Sequence, residues 1–401
     1  MNTPVKRTPI PQEIRILVMG AFIIALGFGL VAPIIPQFAQ SFDVSVWAAS
    51  AVVSIFAATR LAFAPMSGRL VDVLGSRQVY LTGLLTVAIG TGLIAFAQEY
   101  WHILALRAAS GIGSTMFTVS ATSLIVRIAP PDIRGRASSI YATAFLFGSV
   151  IGPVIGAGLS GLGMRIPFII YAVSLVLATI VVAVKLNPQS IKTVEAAGDQ
   201  QPMRRREALR NPTYIAALLS GFAFGWSNFG VRIAVLPLFA AYIFDWGGAV
   251  AGIALAVYAV GNAITLQFSG NLADTLGRRP LILGGLAINT VFTACIGFSE
   301  HAWVLLGVSI LAGIGAGFMN PAQQASLADI IGNQRSGGKV LALYQMTQDF
   351  GAILGPILVG FMVDAWGYRI AFLSCGLVGF AALMAWGLLG KETLTREIQS
   401  V

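Results

Sequence analysis

The stretch Gly68-Arg69-Leu70-Val71-Asp72-Val73-Leu74-Gly75-Ser76-Arg77 recurs 202 residues later as Gly270-Asn271-Leu272-Ala273-Asp274-Thr275-Leu276-Gly277-Arg278-Arg279. Each copy lies between two long apolar runs. The same offset relates Gly113 to Gly315, among other pairs, so the repeat extends well beyond the loop. We infer that the chain consists of two duplicated halves.

The composition is typical of a membrane protein. Hydrophobic residues make up 57% of the chain, charged residues make up only 10%, and the mean hydropathy is +0.82. A soluble protein of 401 residues would carry far more charge. A strand edge or a loop exposed to lipid would leave backbone groups without hydrogen bonds, so the spanning elements are predicted to be helices.

Apolar stretches long enough to cross about 30 Å of hydrocarbon occur along the whole chain. We number them TM1 to TM12, and they cover residues 16–38, 46–67, 79–97, 101–127, 139–161, 166–185, 213–241, 248–269, 281–299, 303–328, 340–361 and 367–390. The predicted fold class is an all-α membrane protein with twelve transmembrane helices in two pseudo-symmetric six-helix bundles. Residues 1–185 form the first bundle, 186–211 a hydrophilic cytoplasmic linker, and 212–401 the second bundle. Such symmetry is typical of transporters that open a central site to either side in turn.

The distribution of charge predicts the orientation. Most of the 25 lysines and arginines fall on one side of the predicted helices, and only Arg165 and Arg369 fall opposite. By the positive-inside rule, both termini, the linker and both repeated loops are predicted to be cytoplasmic, in a multi-pass protein of the cytoplasmic (inner) cell membrane. The net charge of +9, which includes the run Arg204-Arg205-Arg206, then serves orientation and contact with the lipid bilayer rather than binding of nucleic acid.

The residue types present argue against several kinds of chemistry. Cys295 and Cys375 lie inside predicted helices and offer neither a disulfide framework nor metal-ligand spacing, so no metal site is predicted. No Gly-rich phosphate loop precedes a helix, so ATP is not expected to be used directly. A membrane enzyme would need a nucleophile beside a general base, and no histidine lies mid-span. A non-transporting sensor would usually add a soluble signalling domain, and none is visible.

Three motifs carry a resemblance to a known family. The repeated G-x-L-x-D-x-x-G-x-R loop, between TM2 and TM3 and again between TM8 and TM9, resembles motif A of the major facilitator superfamily. The segment Arg107-Ala108-Ala109-Ser110-Gly111-Ile112-Gly113 in TM4 is similar to motif B. Gly148-Ser149-Val150-Ile151-Gly152-Pro153-Val154-Ile155-Gly156-Ala157 in TM5 is similar to motif C, which marks drug:proton antiporters within the superfamily. The resemblance is nearly chain-wide and implies the 12-helix drug:proton antiporter branch.

The motif A loops are expected to form a conformational latch. Gly68 and Gly75 would permit a tight cytoplasmic turn and close helix approach. The resemblance implies that the Asp72 carboxylate approaches the amino-terminal end of TM11, whose partial positive charge favours an anion, and that Asp274 faces the start of TM5 near Arg136. In the alternative, these residues only stabilise a tight turn. The latch residues are Gly68, Asp72, Gly75, Arg77, Gly270, Asp274, Gly277, Arg278, Arg279 and Arg136.

The motif C glycines have a mechanical interpretation. Gly148, Gly152 and Gly156 recur every four residues, so they line one helix face and allow a neighbouring helix to approach closely. Pro153 removes a backbone donor and can bend the helix. The resemblance places this face at the interface between the halves, where it would seal the outer side. The alternative is ordinary packing of small residues.

Charged groups inside hydrocarbon are costly, so those that occur predict function. Asp349 is the only carboxylate well inside a predicted helix, about 16 Å along TM11. It would exchange protons, or else pair structurally with a buried arginine. The predicted proton and substrate cavity comprises Asp349, Arg107, Arg60, Arg232, Asn228, Gln345, Gln348 and Asn262.

These patterns predict a secondary active transporter that works by alternating access. The favoured function is export of amphiphilic organic compounds or drugs, driven by proton antiport. The alternative keeps the fold and reverses direction: proton-coupled uptake or symport of a small polar or anionic metabolite, because three intramembrane arginines stand against one aspartate. The expected partners are a small-molecule substrate, protons and lipid. We expect a monomer without enzymatic activity or cofactor, with the proton gradient as its energy source.

Overall fold

The computed structural model describes residues 10–128, 134–186, 203, 205–332 and 338–394. Helices account for the ordered elements throughout these residues. In the first half, TM1 is Gln12–Val31, followed by the short helix Ile35–Gln40; TM2 is Val46–Leu74, TM3 Ser76–Ile94, TM4 Tyr100–Ile128, TM5 Arg134–Leu159 and TM6 Ile166–Lys185.

In the second half, a short helix at Arg205–Ala208 precedes TM7. TM7 has an irregular middle, where the α-helix Pro212–Phe224 passes through a π-helical segment, Gly225–Val231, into the α-helix Arg232–Ile243. The remaining helices are TM8 Gly247–Leu276, TM9 Arg278–Cys295, TM10 Ala302–Ile331, and TM11 with TM12 along Gly338–Leu389.

The twelve predicted segments each have a helical counterpart. Among the residues that the structure describes, ten helices are long and apolar enough to cross a membrane, and a shorter apolar stretch, Thr143–Leu159, lies in TM5. The last of the ten contains both TM11 and TM12. The two helices meet at Gly367, where a φ of 82° interrupts the helical backbone. The prediction of an all-α membrane fold is confirmed.

The chain forms two compact units, which are described separately. One contains Met1–Ala32 and Ala58–Ala197, and the other contains Pro33–Ala57 and Gly198–Val401. The segment Pro33–Ala57, which includes the first part of TM2, therefore packs with the second half of the sequence. The boundaries expected from the linker stay a prediction.

The duplication is visible in how the helices pack. TM1 packs on TM5 and TM3 on TM4 in the first half, while TM7 packs on TM11 and TM9 on TM10 in the second. At Gly83 an added Cβ would lie 2.7 Å from the carbonyl oxygen of Gly113, and at Gly285 it would lie 2.6 Å from that of Gly315. The same pair of glycines thus lets the same two helices touch backbone to backbone in both halves.

Only one glycine of each motif A loop makes the turn. Gly75 and Gly277 have φ values of 85° and 106°, which a residue with a Cβ adopts only at a cost. Gly68 and Gly270 lie inside TM2 and TM8, and no atom of the described residues comes within 4 Å of an added Cβ at either. The expectation that Gly68 forms part of the turn is therefore wrong, since TM2 continues past it to Leu74. The close helix approach expected at Gly68 stays a prediction.

The motif C glycines face TM1. An added Cβ at Gly148 would lie 2.8 Å from Leu26 N, and one at Gly152 would lie 2.9 Å from Gly29 Cα. Gly156 likewise touches the backbone of Leu30. A neighbouring helix does approach these glycines closely, and that helix is TM1 of the same half. The contact with the other half that the resemblance implied stays a prediction.

Candidate functional site

The motif A arginines bind the last helix of their own half. Arg77 donates from Nε to the carbonyl oxygen of Leu186 at 2.8 Å and from Nη2 to that of Ala183 at 2.5 Å. Its repeat partner, Arg279, donates from Nη2 to the carbonyl oxygen of Gly387 at 2.8 Å. The final carbonyls of a helix have no partner within the helix, so a cation there is stabilising. Both arginines tie the motif loop to TM6 or TM12.

Asp274 is engaged by its own loop. Arg278 Nη1 donates to Asp274 Oδ1 at 2.6 Å, while Nε of the same arginine donates to Asp329 Oδ2, near the end of TM10, at 3.2 Å. The carboxylate of Asp274 is 68% exposed, so this pair is screened by solvent. Asp72 and Arg136 were also predicted to belong to the latch, but their side chains lie outside the described residues.

Glu392 caps TM9 from beyond the end of TM12. Its two carboxylate oxygens accept the backbone N–H groups of Arg278 at 2.9 Å and Arg279 at 3.0 Å, which are the first two residues of that helix. Burial raises the pKa of Glu392, but four backbone N–H donors outweigh it, and the pKa lies below its ordinary value. The carboxylate is therefore ionised at neutral pH, and its negative charge interacts favourably with the positive end of the TM9 helix dipole.

Replacing Glu392 with glutamine is expected to lower the stability of the protein at pH 7 by about 0.5 kcal/mol, because the exposed cap loses its charge. A lowered native pKa stabilises the fold above the unfolded pKa, so the advantage of the wild type should fade as pH falls through the native pKa. Thermal unfolding of both proteins in detergent at pH 7 and pH 3 measures this difference in stability. Glu300→Gln, which breaks an exposed ion pair with Arg369, is the control. Equal melting temperatures for Glu392→Gln and wild type at pH 7 would contradict the cap.

Asp349 lies partly buried in TM11, as the sequence predicted. Gln345 donates to its Oδ1 at 3.3 Å, one helical turn away. Gln348, also predicted for the cavity, donates from its amide to the buried Tyr344 hydroxyl at 3.0 Å. Of the two glutamines, Gln345 is therefore hydrogen-bonded to Asp349, and Gln348 is hydrogen-bonded to Tyr344.

Arg232 is fully enclosed at the end of the π-helical segment, with 2% of its surface exposed. Its Nη2 donates to Thr293 Oγ1 at 3.0 Å, and its guanidinium lies 4.0 Å from the ring centre of Tyr258. Its Nε and Nη1 have no hydrogen-bond partner among the described residues. An aromatic face and a hydroxyl, rather than a carboxylate, therefore stabilise this cation.

Asn228 lies within the π-helical segment and joins the same cluster. Its Oδ1 accepts from the Tyr258 hydroxyl at 2.6 Å and from Asn289 Nδ2 at 3.3 Å, and Asn289 also donates to the carbonyl oxygen of Ala312 at 2.8 Å. Single π-turns inside α-helices occur frequently at functional sites. Sequence reasoning found Arg232 and Asn228 but missed Tyr258, Asn289 and Thr293. The polar Asn and Thr in the apolar run of TM9 were the available signal.

Replacing Thr293 with valine is expected to destabilise the second half by about 1 kcal/mol, because it leaves a third nitrogen of a buried guanidinium without a partner. A lower melting temperature of the purified protein checks this. Thr275→Val, at an exposed position of TM8, changes the same atoms and should leave the melting temperature unchanged. Equal melting temperatures for both variants would mean that the Thr293 hydrogen bond contributes nothing.

The other predicted cavity residues make contacts within their own units. Arg107 is buried in TM4 and interacts electrostatically with Tyr171 and with Arg60 of TM2. The Thr115 hydroxyl donates to the backbone carbonyl of Arg60 at 3.0 Å, which fixes TM4 against TM2. Asn262 is half-buried in TM8, and an added Cβ at Gly317 of TM10 would lie 2.7 Å from its backbone carbonyl oxygen. The first half therefore concentrates its buried positive charge at TM2 and TM4.

Comparison with known proteins gives a consistent answer. The chain is 26% identical over 405 residues to the multidrug resistance protein MdtG of Proteus mirabilis, covering 96% of this chain and 98% of the relative. It is 28% identical to the MdtG of Enterobacter lignolyticus, covering 95% and 93%. The chain is therefore a secondary transporter and a multi-pass inner-membrane protein, not an enzyme.

Solved structures agree on the fold. An inward-facing, unoccupied bacterial homologue of the human lysosomal transporter Spinster superposes with a TM-score of 0.73 at 16% identity, covering 95% of this chain and 92% of that one. A POT family transporter in complex with 5-aminolevulinic acid gives 0.78 at 11% identity, covering 93% and 95%. The sequence profile of the Major Facilitator Superfamily matches residues 17–231 and 222–399, and the chain therefore belongs to that superfamily.

Proposed function

We propose that this transporter exports amphiphilic organic compounds from the cytoplasm in exchange for protons. Each half supplies six helices, and alternating access opens the path between the halves to one side and then to the other. Both termini and both motif A loops lie on the cytoplasmic side of the inner membrane, where the positive residues collect. The monomer is the working unit, and the proton gradient is the energy source.

The observation that carries the proposal is the position of Asp349. The side chain lies about 16 Å from the start of the helix at Gly338, well inside TM11. The neutral amide of Gln345 donates to Asp349 Oδ1 at 3.3 Å, and such a neutral partner accommodates both the charged and the protonated carboxyl group. A carboxyl group that is stable in either state can accept a proton on one side of the membrane and release it on the other.

Similarity to multidrug resistance proteins over nearly the whole chain favours export over uptake. The motif C glycines support the same direction by resemblance to antiporters.

Flux in proteoliposomes tests the proposal. Purified protein is reconstituted and loaded with an amphiphilic fluorescent cation, a matched anion or a matched neutral compound, with and without an imposed pH gradient. The proposal predicts that dissipating the gradient stops uphill movement of at least one compound, which moves opposite to protons. Uphill movement in the same direction as protons would establish symport and overturn it.

A further inference from the structure

The turn between TM11 and TM12 repeats the spacing of motif A on the opposite side of the membrane. The segment Gly360-Phe361-Met362-Val363-Asp364-Ala365-Trp366-Gly367-Tyr368-Arg369 keeps the G-x-x-x-D-x-x-G-x-R pattern. Gly367 has a φ of 82°, close to the 85° of Gly75 in the first motif A loop. The helices cross the membrane alternately, so this turn lies at the outer end of the molecule.

Asp364 holds the first turn of TM2. The backbone N–H of Val46 donates to Asp364 Oδ1 at 3.0 Å, and that of Trp47 donates to Oδ2 at 2.9 Å. The first N–H groups of a helix have no partner within the helix, and they form the positive end of its dipole. Both oxygens of one carboxylate are therefore used to cap a helix that is more than 300 residues away in sequence.

The contact continues along TM2 and TM11. An added Cβ at Gly360 would lie 2.9 Å from Trp47 Cα, so only glycine allows the two backbones this close. One helical turn or more towards the membrane centre, Ser54 Oγ donates to the carbonyl oxygen of Ile353 at 2.7 Å. These contacts explain why Pro33–Ala57 packs with the second half of the sequence.

We propose that Asp364 is an outer clasp, which holds the start of TM2 against TM11 while the outer side is closed and releases it on opening. The inference rests on the alternating access of the proposed function. TM2 begins in the segment that packs with the second half, but its inner part belongs to the first. TM2 cannot follow both halves when they separate at the outer side, so the two hydrogen bonds to Asp364 must break at that step.

Accessibility of Ser54 tests the clasp without substrate or proton gradient. In a background of Cys295→Ala and Cys375→Ala, Ser54→Cys places a thiol at a position that is 2% exposed in the closed arrangement. Asp364→Asn should raise its labelling by a membrane-impermeant maleimide about fivefold, because a charged cap of a helix end is lost. Asp43→Asn is the matched control: it removes a nearby outer carboxylate, and asparagine tolerates the φ of 57° there. Equal labelling in Asp364→Asn and wild type overturns the clasp.

A reversible cross-link provides the second arm. Trp47→Cys with Gly360→Cys brings two thiols together where the backbones already touch. The oxidised protein should lose transport and outer labelling of Ser54→Cys, and a reductant should restore both. Transport by the oxidised protein equal to that of the reduced one overturns the proposal even where Asp364→Asn does not fold. A labelling change without any proton-driven flux in the wild type would retain the clasp and reject the export mechanism.

Discussion

Replacing Asp349 with asparagine is expected to reduce proton-driven export to the level of empty liposomes. Asparagine has nearly the same shape and can still accept from Gln345, but it cannot take up a proton. Downhill exchange of substrate should continue, because the helices and the path between them are unchanged. The measurement is flux of a fluorescent amphiphile into proteoliposomes, at a fixed substrate gradient and over a series of imposed pH gradients.

Asp245→Asn is the control for the loss of one negative charge. Asp245 is exposed just before TM8, and the Asp245→Asn protein should export normally. A melting temperature within a few degrees of wild type would show that Asp349→Asn is folded. Wild-type dependence on the pH gradient in Asp349→Asn would remove Asp349 from the coupling step, and the buried arginines would be the next candidates to examine.

Much of the fold follows from two simple sequence signals. Apolar runs of spanning length gave each of the twelve helices, because a helix is the only element that satisfies its own backbone in lipid. The 202-residue offset gave the two halves, and it extends to side-chain contacts: Arg77 and Arg279 reach the ends of TM6 and TM12 in the same way. Such local and repeated features are visible in one sequence.

The parts that were missed depend on distant contacts or on backbone irregularity. Glu392 lies 114 residues from Arg278, and nothing in the sequence near either one indicates that they meet. The π-helical segment Gly225–Val231 interrupts the regular helix of TM7, and the regular helical period of the sequence does not predict it. Asp364 differs, because its G-x-x-x-D-x-x-G-x-R spacing was present to be found.

Motif C shows the limit of inference from resemblance. Its four-residue glycine spacing correctly predicted that a helix approaches closely, since that follows from geometry. Which helix approaches does not follow from spacing. Gly355 in TM11 behaves similarly, as an added Cβ there would lie 2.8 Å from the carbonyl oxygen of Trp226 in TM7. In both halves, small residues therefore join the first and fifth helices of one bundle.

Replacing Gly152 with leucine is expected to separate TM5 from TM1 and to stop transport. An added Cβ would meet backbone atoms of TM1, with Gly29 Cα at 2.9 Å and Leu30 N at 3.0 Å. Backbone cannot turn aside as a side chain does, so the overpacking should cost about 3 kcal/mol and lower the melting temperature by about 5 °C or more. Gly152→Ala should show a smaller change in the same direction.

Val154→Leu is the matched control, because that side chain is 53% exposed on the same helix and should accept the larger residue without loss of stability or transport. The measurements are thermal unfolding in detergent and flux in proteoliposomes for all three variants. Loss of transport at an unchanged melting temperature would mean that Gly152 acts where the two halves meet, as the resemblance implied. Loss of both places its role in TM1–TM5 packing, and retention of both would show that TM1 can move away from TM5 at little cost.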